Sequence, residues 1–505
     1  MTTKSIEEVK ASYYDYVKKM EAYGEALGLM FWDLRTGAPK KGIEQRSEAI
    51  GMLSSEIFEM STSEEMKSYI KELSSVSNLD EKTAKMVQES KKDLERNLKI
   101  PAEEYKEMVI LRSKAENVWE SAKNNADFKS FQPYLERLVE LTKKFIGYWG
   151  YEENPYNTLL DMYEPGMTVE ILDRVFGQLR SEIVPLVKLL DEKGVKPKTD
   201  FLFKPFPKAQ QKEFSLYVLD QLSYDFEAGR LDETVHPFAL GLNPGDVRVT
   251  TKYDEKDWRT AIFGTIHEAG HALYEQNISQ DLVGTNLCSG TSMGIHESQS
   301  LFYENFVGRN EKFWEKNYEA LKSYSEGQFD QVSLEDFYRA INESKPSLIR
   351  IEADELTYPL HVMVRYEIEK GLFNGEIEVK DLPEVWNAKY KEYLGVVPEH
   401  DGEGVLQDVH WSGGSFGYFP SYALGYMYAA QIKVAMDKDI PEYDELLLNG
   451  DTKPIREWLT EKIHQHGKLK QPLEILKEVT GEELNAQYLV DYLKAKYKRV
   501  YQITE

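Results

Sequence analysis

Two histidines four residues apart, with a glutamate beside the first, are the residues in this chain best placed to do chemistry: His267-Glu268-Ala269-Gly270-His271. On a helix, a spacing of four puts both imidazoles on one face, one turn apart, where they can share a single metal ion. Glu268 then stands beside the ion rather than on it, where a general base for an ion-polarised water is needed. Two surface histidines can fall at this spacing by accident, but the chain has only 9 histidines in all. The context also argues against accident. Trp258, Ile262, Ile266, Ala269 and Leu273 recur at helical spacing and predict a helix over about Trp258–Asn277 with one apolar stripe.

Catalytic zinc usually takes three protein ligands and keeps a position for water, so two histidines are too few. Gly294-Ile295-His296-Glu297-Ser298-Gln299, at the start of another expected helix, offers the third. Glu297 is favoured. His296 competes for the same role, and is otherwise a supporting group or a substrate contact. Two antiparallel helices joined by a glycine-containing loop would bring Glu297 back to the histidines. The reaction class that follows is peptide-bond hydrolysis, in which the ion activates water and polarises the carbonyl. Glu268 takes the water's proton and later hands it to the leaving amine.

Holding one end of a peptide needs a further charge near the ion. A terminal carboxylate calls for a cation, and the planar fork of arginine is the better clamp because it donates two parallel hydrogen bonds. Arg350 lies in Ile349-Arg350-Ile351-Glu352-Ala353-Asp354, where Asp354, one helical turn on, is expected to fix its orientation. Taken alone, such a pair is more often a surface ion pair. Arg248 lies in Asp246-Val247-Arg248-Val249-Thr250, whose period-two spacing puts Asp246, Arg248 and Thr250 on one face of a strand. A third cluster runs from Gly404 through Gln407, Asp408, His410 and Trp411 to a glycine-rich stretch ending at Tyr418 and Tyr422. Its glycines allow a tight loop near a substrate, and either tyrosine could donate to an oxyanion. With 32 tyrosines in the chain, packing explains any single one as readily.

The elements that must position these groups read mostly as amphipathic helices. Leu172, Val175, Leu179, Ile183 and Leu186 share a face, with Thr168 as the N-cap. Other helices are expected over Glu8–Leu27, Glu44–Met60, Asp80–Leu98, Ala102–Asn124, Phe131–Gly147 and Lys208–Leu222. Downstream they are expected over His296–Gly308, Glu311–Tyr324, Ser347–Lys370, Tyr422–Met436 and Ile455–Gln465. One segment differs: Leu231–Tyr253 carries the turn Asn243-Pro244-Gly245 and then alternating Val247, Val249 and Thr251, a hairpin just before the metal helix. Its edge either holds an extended peptide by backbone hydrogen bonds or merely braces the fold. The expected class is all-α with this small β element beside a deep, zincin-like groove. No linker or repeat divides the 505 residues, so one domain is expected. In it, residues of about 1–230 build part of the groove wall and 231–430 carry the motifs.

Composition narrows the partners. Hydrophobic content of 41% and charged content of 30% describe a soluble globular chain. A net charge of −25 disfavours nucleic acid and anionic membranes. No run is long and apolar enough to span a bilayer, and the charged N-terminus, Met1 to Lys18, lacks a signal-peptide core. Cys288 is the only cysteine, so a cytoplasmic location is expected.

Together these pieces resemble the carboxypeptidase Taq family of metallocarboxypeptidases. The matching motifs are His236-Pro237-Phe238, Asp246-x-Arg248-x-Thr250, His267-Glu268-x-x-His271, His296-Glu297-Ser298-Gln299, Ile349-Arg350-x-x-Ala353-Asp354 and Gly404-x-x-Gln407-Asp408-x-His410-Trp411, in that order. Trp32-Asp33, Tyr163-Glu164-Pro165-Gly166 and Pro454-Ile455-Arg456-Glu457-Trp458-Leu459 extend the likeness over nearly the whole chain. The resemblance implies one zinc per chain, replaceable by cobalt, held by His267, His271 and Glu297, with Glu268 as acid/base. It implies that Arg350 takes the terminal carboxylate of a peptide. It places Arg248, with Asp246, and the Gln407–Trp411 segment at a closed end of the groove. The oxyanion donor stays open among Tyr422, His410 and His236, with Tyr422 preferred and His236 otherwise a groove contact. Relatives are commonly homodimers. The competing expectations are a helical zinc oligopeptidase that cuts internal bonds and a non-catalytic peptide-binding scaffold.

Overall fold

The computed structural model describes residues 5–504. Helices form where apolar residues recur every three or four positions and a polar side chain caps the first turn. Ser5, Asp80 and Thr168 accept from the backbone N–H three residues on, opening helices Ile6–Thr36, Glu81–Leu98 and Val169–Lys193. The motif helix spans Arg259–Gln276, and the helix expected over Glu311–Tyr324 has those bounds. Helices also form at Glu64–Ser74, Pro155–Tyr163, Leu334–Ile341, Leu382–Leu394, Tyr443–Asn449, Pro472–Thr480 and Gln487–Val500, where none was expected.

Two expected helices take a different form. Ser347–Lys370 is not one helix: a 3-10 turn over Arg350–Glu352 ends in extended backbone at Ala353, and a new helix runs over Tyr358–Asn374. Asp354 causes the break, because its Oδ1 accepts from the N–H groups of Leu356 and Thr357 and its Oδ2 from the Thr357 hydroxyl. The second expected helix, His296–Gly308, is α-helical over Met293–Leu301 and then widens into a π-helix over Phe302–Gly308. The wider turn carries Glu304.

The β element has three strands: β1 (Leu231–Glu233), β2 (Ala239–Asn243) and β3 (Asp246–Thr251). Their order is β1-β3-β2, with β3 parallel to β1 and antiparallel to β2. The Asn243 side chain accepts from Gly245 N and tightens the turn between β2 and β3. Val247 and Val249 are fully buried on one face of β3. The Thr251 hydroxyl donates to Ala261 O, which ties this strand to the motif helix.

Buried apolar side chains from Val9 to Tyr501 form one contiguous cluster, with Trp258, Trp314 and Trp386 at its most enclosed points. The N-terminal helices are tied to the 231–430 segment at several points. Trp32 packs edge-on against Phe238, and Trp119 and Lys123 donate to the carbonyls of Leu406 and Gln407. Among the described residues no helix is long and apolar enough to cross a membrane.

Candidate metal centre and active site

His267 and His271 project from the motif helix toward Glu297 on the Met293–Leu301 helix. Glu297 Oε2 lies 3.9 Å from His267 Nε2 and 3.6 Å from His271 Nε2, and the three donor atoms fall within 4.8 Å of one another. Donors about 2.1 Å from a tetrahedral ion stand roughly 3.4 Å apart, so the set fits one divalent cation. Two glycines allow this convergence. A Cβ on Gly270 would sit 2.5 Å from Gln299 O and Ser300 Cα, so the two helices cross where no side chain intervenes. A Cβ on Gly425, in the Pro420–Asp439 helix, would sit 2.6 Å from Glu297 Cγ.

The far nitrogen of each histidine is occupied. His267 Nδ1 meets Glu304 Oε2 at 2.9 Å, and Arg309 holds Glu304 Oε1 at 3.0 Å. His271 Nδ1 meets His296 Nδ1 at 2.7 Å, and His296 Nε2 meets Glu275 Oε1 at 2.8 Å. With protons on His267 Nδ1, His271 Nδ1 and His296 Nε2 every bond is satisfied, and both Nε2 lone pairs face Glu297. His296 therefore sits behind His271, in the supporting position.

Charge at this centre is unbalanced. Burial opposes a charge on His267, but Glu297 and Glu304 outweigh it and push the imidazole up to about 10. Burial opposes a charge on Glu304 as well, yet the His267 hydrogen bond and the Arg309 charge pull it down to about 2. Burial, reinforced by Glu297, pushes Glu268 up to about 7, and burial also raises Glu297. Burial and the two neighbouring histidines keep His271 well below its ordinary value. Three carboxylates, Glu268 buried and Glu297 and Glu304 half-buried, stand around two imidazoles and one guanidinium. Without an ion a proton on His267 meets their charge, and a divalent cation is the charge that would displace it.

The donors open onto a groove of about 690 Å³ lined by Phe238, Glu268, Ile351, Tyr358, Tyr418 and Tyr422 among others. Among the described residues none hydrogen-bonds the Glu268 carboxylate, which is left to face the groove. Tyr422 Oη lies 3.3 Å from His410 Nε2. Burial pushes Tyr418 up to about 12 and Tyr422 higher still, so both keep their protons and can donate. Burial pushes His410 down to about 4, so it is neutral near pH 7.

Arg350 is buried beside this groove, its guanidinium 5.0 Å from the centre of the Tyr422 ring. Its partner is not Asp354, which is spent on the turn after it, because the chain leaves the helix between them. Asp408 takes its place: Oδ1 accepts from Arg350 Nε at 3.0 Å and Nη2 at 2.7 Å, while Nη1 donates to Tyr358 Oη at 2.6 Å. Gln407 is fully occupied. Its Oε1 accepts from Arg350 N and Arg365 Nη2, and its amide donates to the carbonyls of Leu348 and Glu403. Arg248 and Asp246 pair with each other through two 2.7 Å bonds. They lie outside the groove lining, and Arg248 faces Trp32, Asp33 and Arg46 instead. His236 is exposed and also outside that lining, although Pro237 and Phe238 belong to it.

Glu304, Glu275, Tyr358 and Arg365 were not singled out from the sequence. Arg365 carried a signal: His361, Arg365 and Glu369 recur every four residues on one face of their helix, and all three are fully buried.

Helical architecture and this constellation suit a metallopeptidase. The family model described as "Carboxypeptidase Taq (M32) metallopeptidase" matches residues 12–497. Carboxypeptidase 1 of Bacillus subtilis is 60% identical over 98% of this chain and 99% of its own length. Thermostable carboxypeptidase 1 of Thermus thermophilus is 40% identical over 95% and 96%. A crystal structure of the M32 carboxypeptidase from Deinococcus radiodurans superposes with a TM-score of 0.95 at 34% identity, over 98% of this chain and 100% of that one. The chain therefore belongs to the carboxypeptidase Taq (M32) family and is a metal-dependent carboxypeptidase.

Proposed function

We propose that this chain releases C-terminal amino acids from peptides using one zinc ion held by His267, His271 and Glu297. Imidazole and carboxylate donors in a near-tetrahedral spread support zinc, with cobalt as a substitute. When bound, the ion supplies an activated water and a Lewis acid for the scissile carbonyl. Glu268, buried and without a protein partner, takes the water's proton during attack and delivers it to the departing amine. Tyr422 donates to the developing oxyanion, steadied by His410 at its hydroxyl.

The observation that carries the exopeptidase reading is the state of Arg350. A guanidinium has five N–H donors, and Asp408 and Tyr358 engage three of them, which leaves two for a carboxylate. Arg350 and Arg365 share the single carboxylate of Asp408, so the cluster carries one net positive charge, and a substrate's terminal carboxylate would neutralise it. Tight side-chain packing supports roles for Gln407 in holding Arg350, and for Asp246 and Arg248 in fastening the groove's sheet wall to Trp32. His236 is then a contact at the mouth of the groove.

The N-terminal helices complete one peptidase domain over 1–505 by walling the groove, a reading supported by the bonds of Trp119 and Lys123 to the 406–407 backbone. A homodimer and a cytoplasmic location complete the proposal; Cys288 has no second cysteine to pair with. The test is to incubate the zinc-loaded protein with one peptide as free acid and as C-terminal amide, and to weigh the first products. Release of the last residue from the free acid alone, abolished by chelator, is expected. Cleavage of the amide at an internal bond would favour an oligopeptidase instead.

A further inference from the structure

Arg365 lies one carboxylate behind the clamp, and every contact it makes is internal. Its Nε donates to Asp408 Oδ2 at 2.6 Å, its Nη2 to Gln407 Oε1 at 2.7 Å, and its Nη1 to His361 O at 2.7 Å and Tyr390 Oη at 3.1 Å. The plane packs 4.6 Å from the centre of the Trp386 ring, and the residue is 0% exposed. No substrate atom can reach it. Burying an arginine this fully costs much unless its charge is used, and its hydrogen-bonding groups alone could be replaced by neutral ones.

The charge count shows the use. Asp408 faces Arg350 with one oxygen and Arg365 with the other. Were Asp408 paired with Arg350 alone, the two would form a neutral pair, and an arriving carboxylate would meet no net charge. Among the groups packed around the cluster, Glu369, one turn along the same helix, carries the opposing charge. Burial pushes it up to about 7, so below that pH it is mainly protonated and leaves the sum unchanged. Burial and the two arginines keep His361 far below its ordinary value, and burial keeps His410 neutral. Tyr358 and Tyr390 are raised by burial and stay protonated. Asp408 stays ionised, since the charges of Arg365 and then Arg350 overcome its burial.

We infer that Arg365 is a positioning residue that supplies, through Asp408, the net positive charge by which Arg350 attracts the C-terminal carboxylate of the peptide. Arg350 makes the contact and Arg365 sets its strength. The inference rests on the clamp reading of Arg350 given above.

The test, run at about pH 6 to keep Glu369 mainly protonated, uses the full-length, zinc-loaded protein and an N-acylated dipeptide free acid, with kcat and KM measured separately. A charge roughly 8–10 Å from the bound carboxylate, in an effective dielectric near 20, changes its affinity about fifteen- to thirtyfold. Arg365→Gln is therefore expected to raise KM by that factor with kcat within about threefold, the pattern of lost uniform binding. Arg365→Lys, which keeps the charge and loses the fork, is expected to hold KM within about threefold of the parent while lowering thermal stability. An unchanged KM in Arg365→Gln, or a KM raised more than about threefold in Arg365→Lys, overturns the inference. Should Arg365→Gln not fold, the lysine variant decides by the same threshold. Arg350→Ala separates the two readings. If it leaves KM unchanged, the clamp itself is wrong; if it raises KM while both Arg365 variants behave otherwise than expected, only the inference fails.

Discussion

Replacing Gly270 by alanine should both destabilise the fold and loosen the metal site, whereas the same change at Gly264 should do neither. Both glycines lie on the motif helix. A Cβ at position 270 would stand 2.5 Å from Gln299 O and Ser300 Cα, whereas ordinary contact begins near 3.4 Å. The Met293–Leu301 helix must therefore retreat by about 0.9 Å, and the colliding atoms are backbone, which cannot rotate aside. Overpacking of this kind costs about 1–3 kcal/mol, offset by about 1 kcal/mol of helix propensity gained by alanine, so a net loss of up to about 2 kcal/mol is expected, and a deficit of about 1–3 kcal/mol against Gly264→Ala. At position 264 the nearest atom, Thr251 Oγ1, is 4.0 Å away, and only the propensity gain remains. Metal–ligand distances tolerate about 0.2 Å, so a 0.9 Å retreat of the helix that carries Glu297 should lower metal affinity about ten- to a hundredfold. Thermal unfolding with and without zinc, plus competition against a chelator, reads both effects. A Gly270→Ala protein as stable and as tight for metal as Gly264→Ala would refute the argument.

Three further outcomes follow from the same geometry. Glu268→Gln should retain stoichiometric metal and lose turnover by a factor of about a thousand or more, since an amide neither takes nor returns a proton; substantial residual kcat would remove Glu268 from that role. Glu304→Gln should weaken metal binding about tenfold or more, because His267 Nδ1 loses its ionic acceptor, and competitive chelation would show it. His464 is fully buried with Nε2 on Gln299 Oε1, and burial pushes it down to about 3, against about 6.5 when unfolded. The unfolded chain then binds the proton first, so stability from this group falls as pH drops from about 6.5 toward 3, by about 1.4 kcal/mol per unit. In urea unfolding with chelator present, the advantage of the parent over His464→Asn should shrink by about 3 kcal/mol between pH 7 and pH 4; a constant difference would contradict the assignment.

The convergence of His267, His271 and Glu297 was legible because helix period and ligand chemistry are both local. His267, Glu268 and His271 fall within one turn of one helix, and their apolar stripe marks the face that is buried. Glu297 required only a helical hairpin. What escaped was assembled across distance. Asp408 reaches Arg350 and Arg365 from a loop with no period to read, and no local rule pairs Arg350 with it rather than with the nearer Asp354. Asp354 misled for a physical reason: at the end of an extended step, its short carboxylate closes the turn that leads into the next helix in preference to forming an ion pair with Arg350. Glu304 was hidden by the π-helical turn that carries it, because an α-helical projection of the segment points residue 304 in a different direction. The β element was read as a hairpin because β1, only three residues long and parallel to β3, carries no alternation of its own.

Anomalous diffraction from crystals of the zinc-loaded enzyme tests the central claim most directly. One peak is expected, about 2.0–2.2 Å from His267 Nε2, His271 Nε2 and a Glu297 oxygen, with the Glu268 carboxylate near but unbound. A peak ligated by His296 in place of Glu297, or by Glu268 itself, would contradict it.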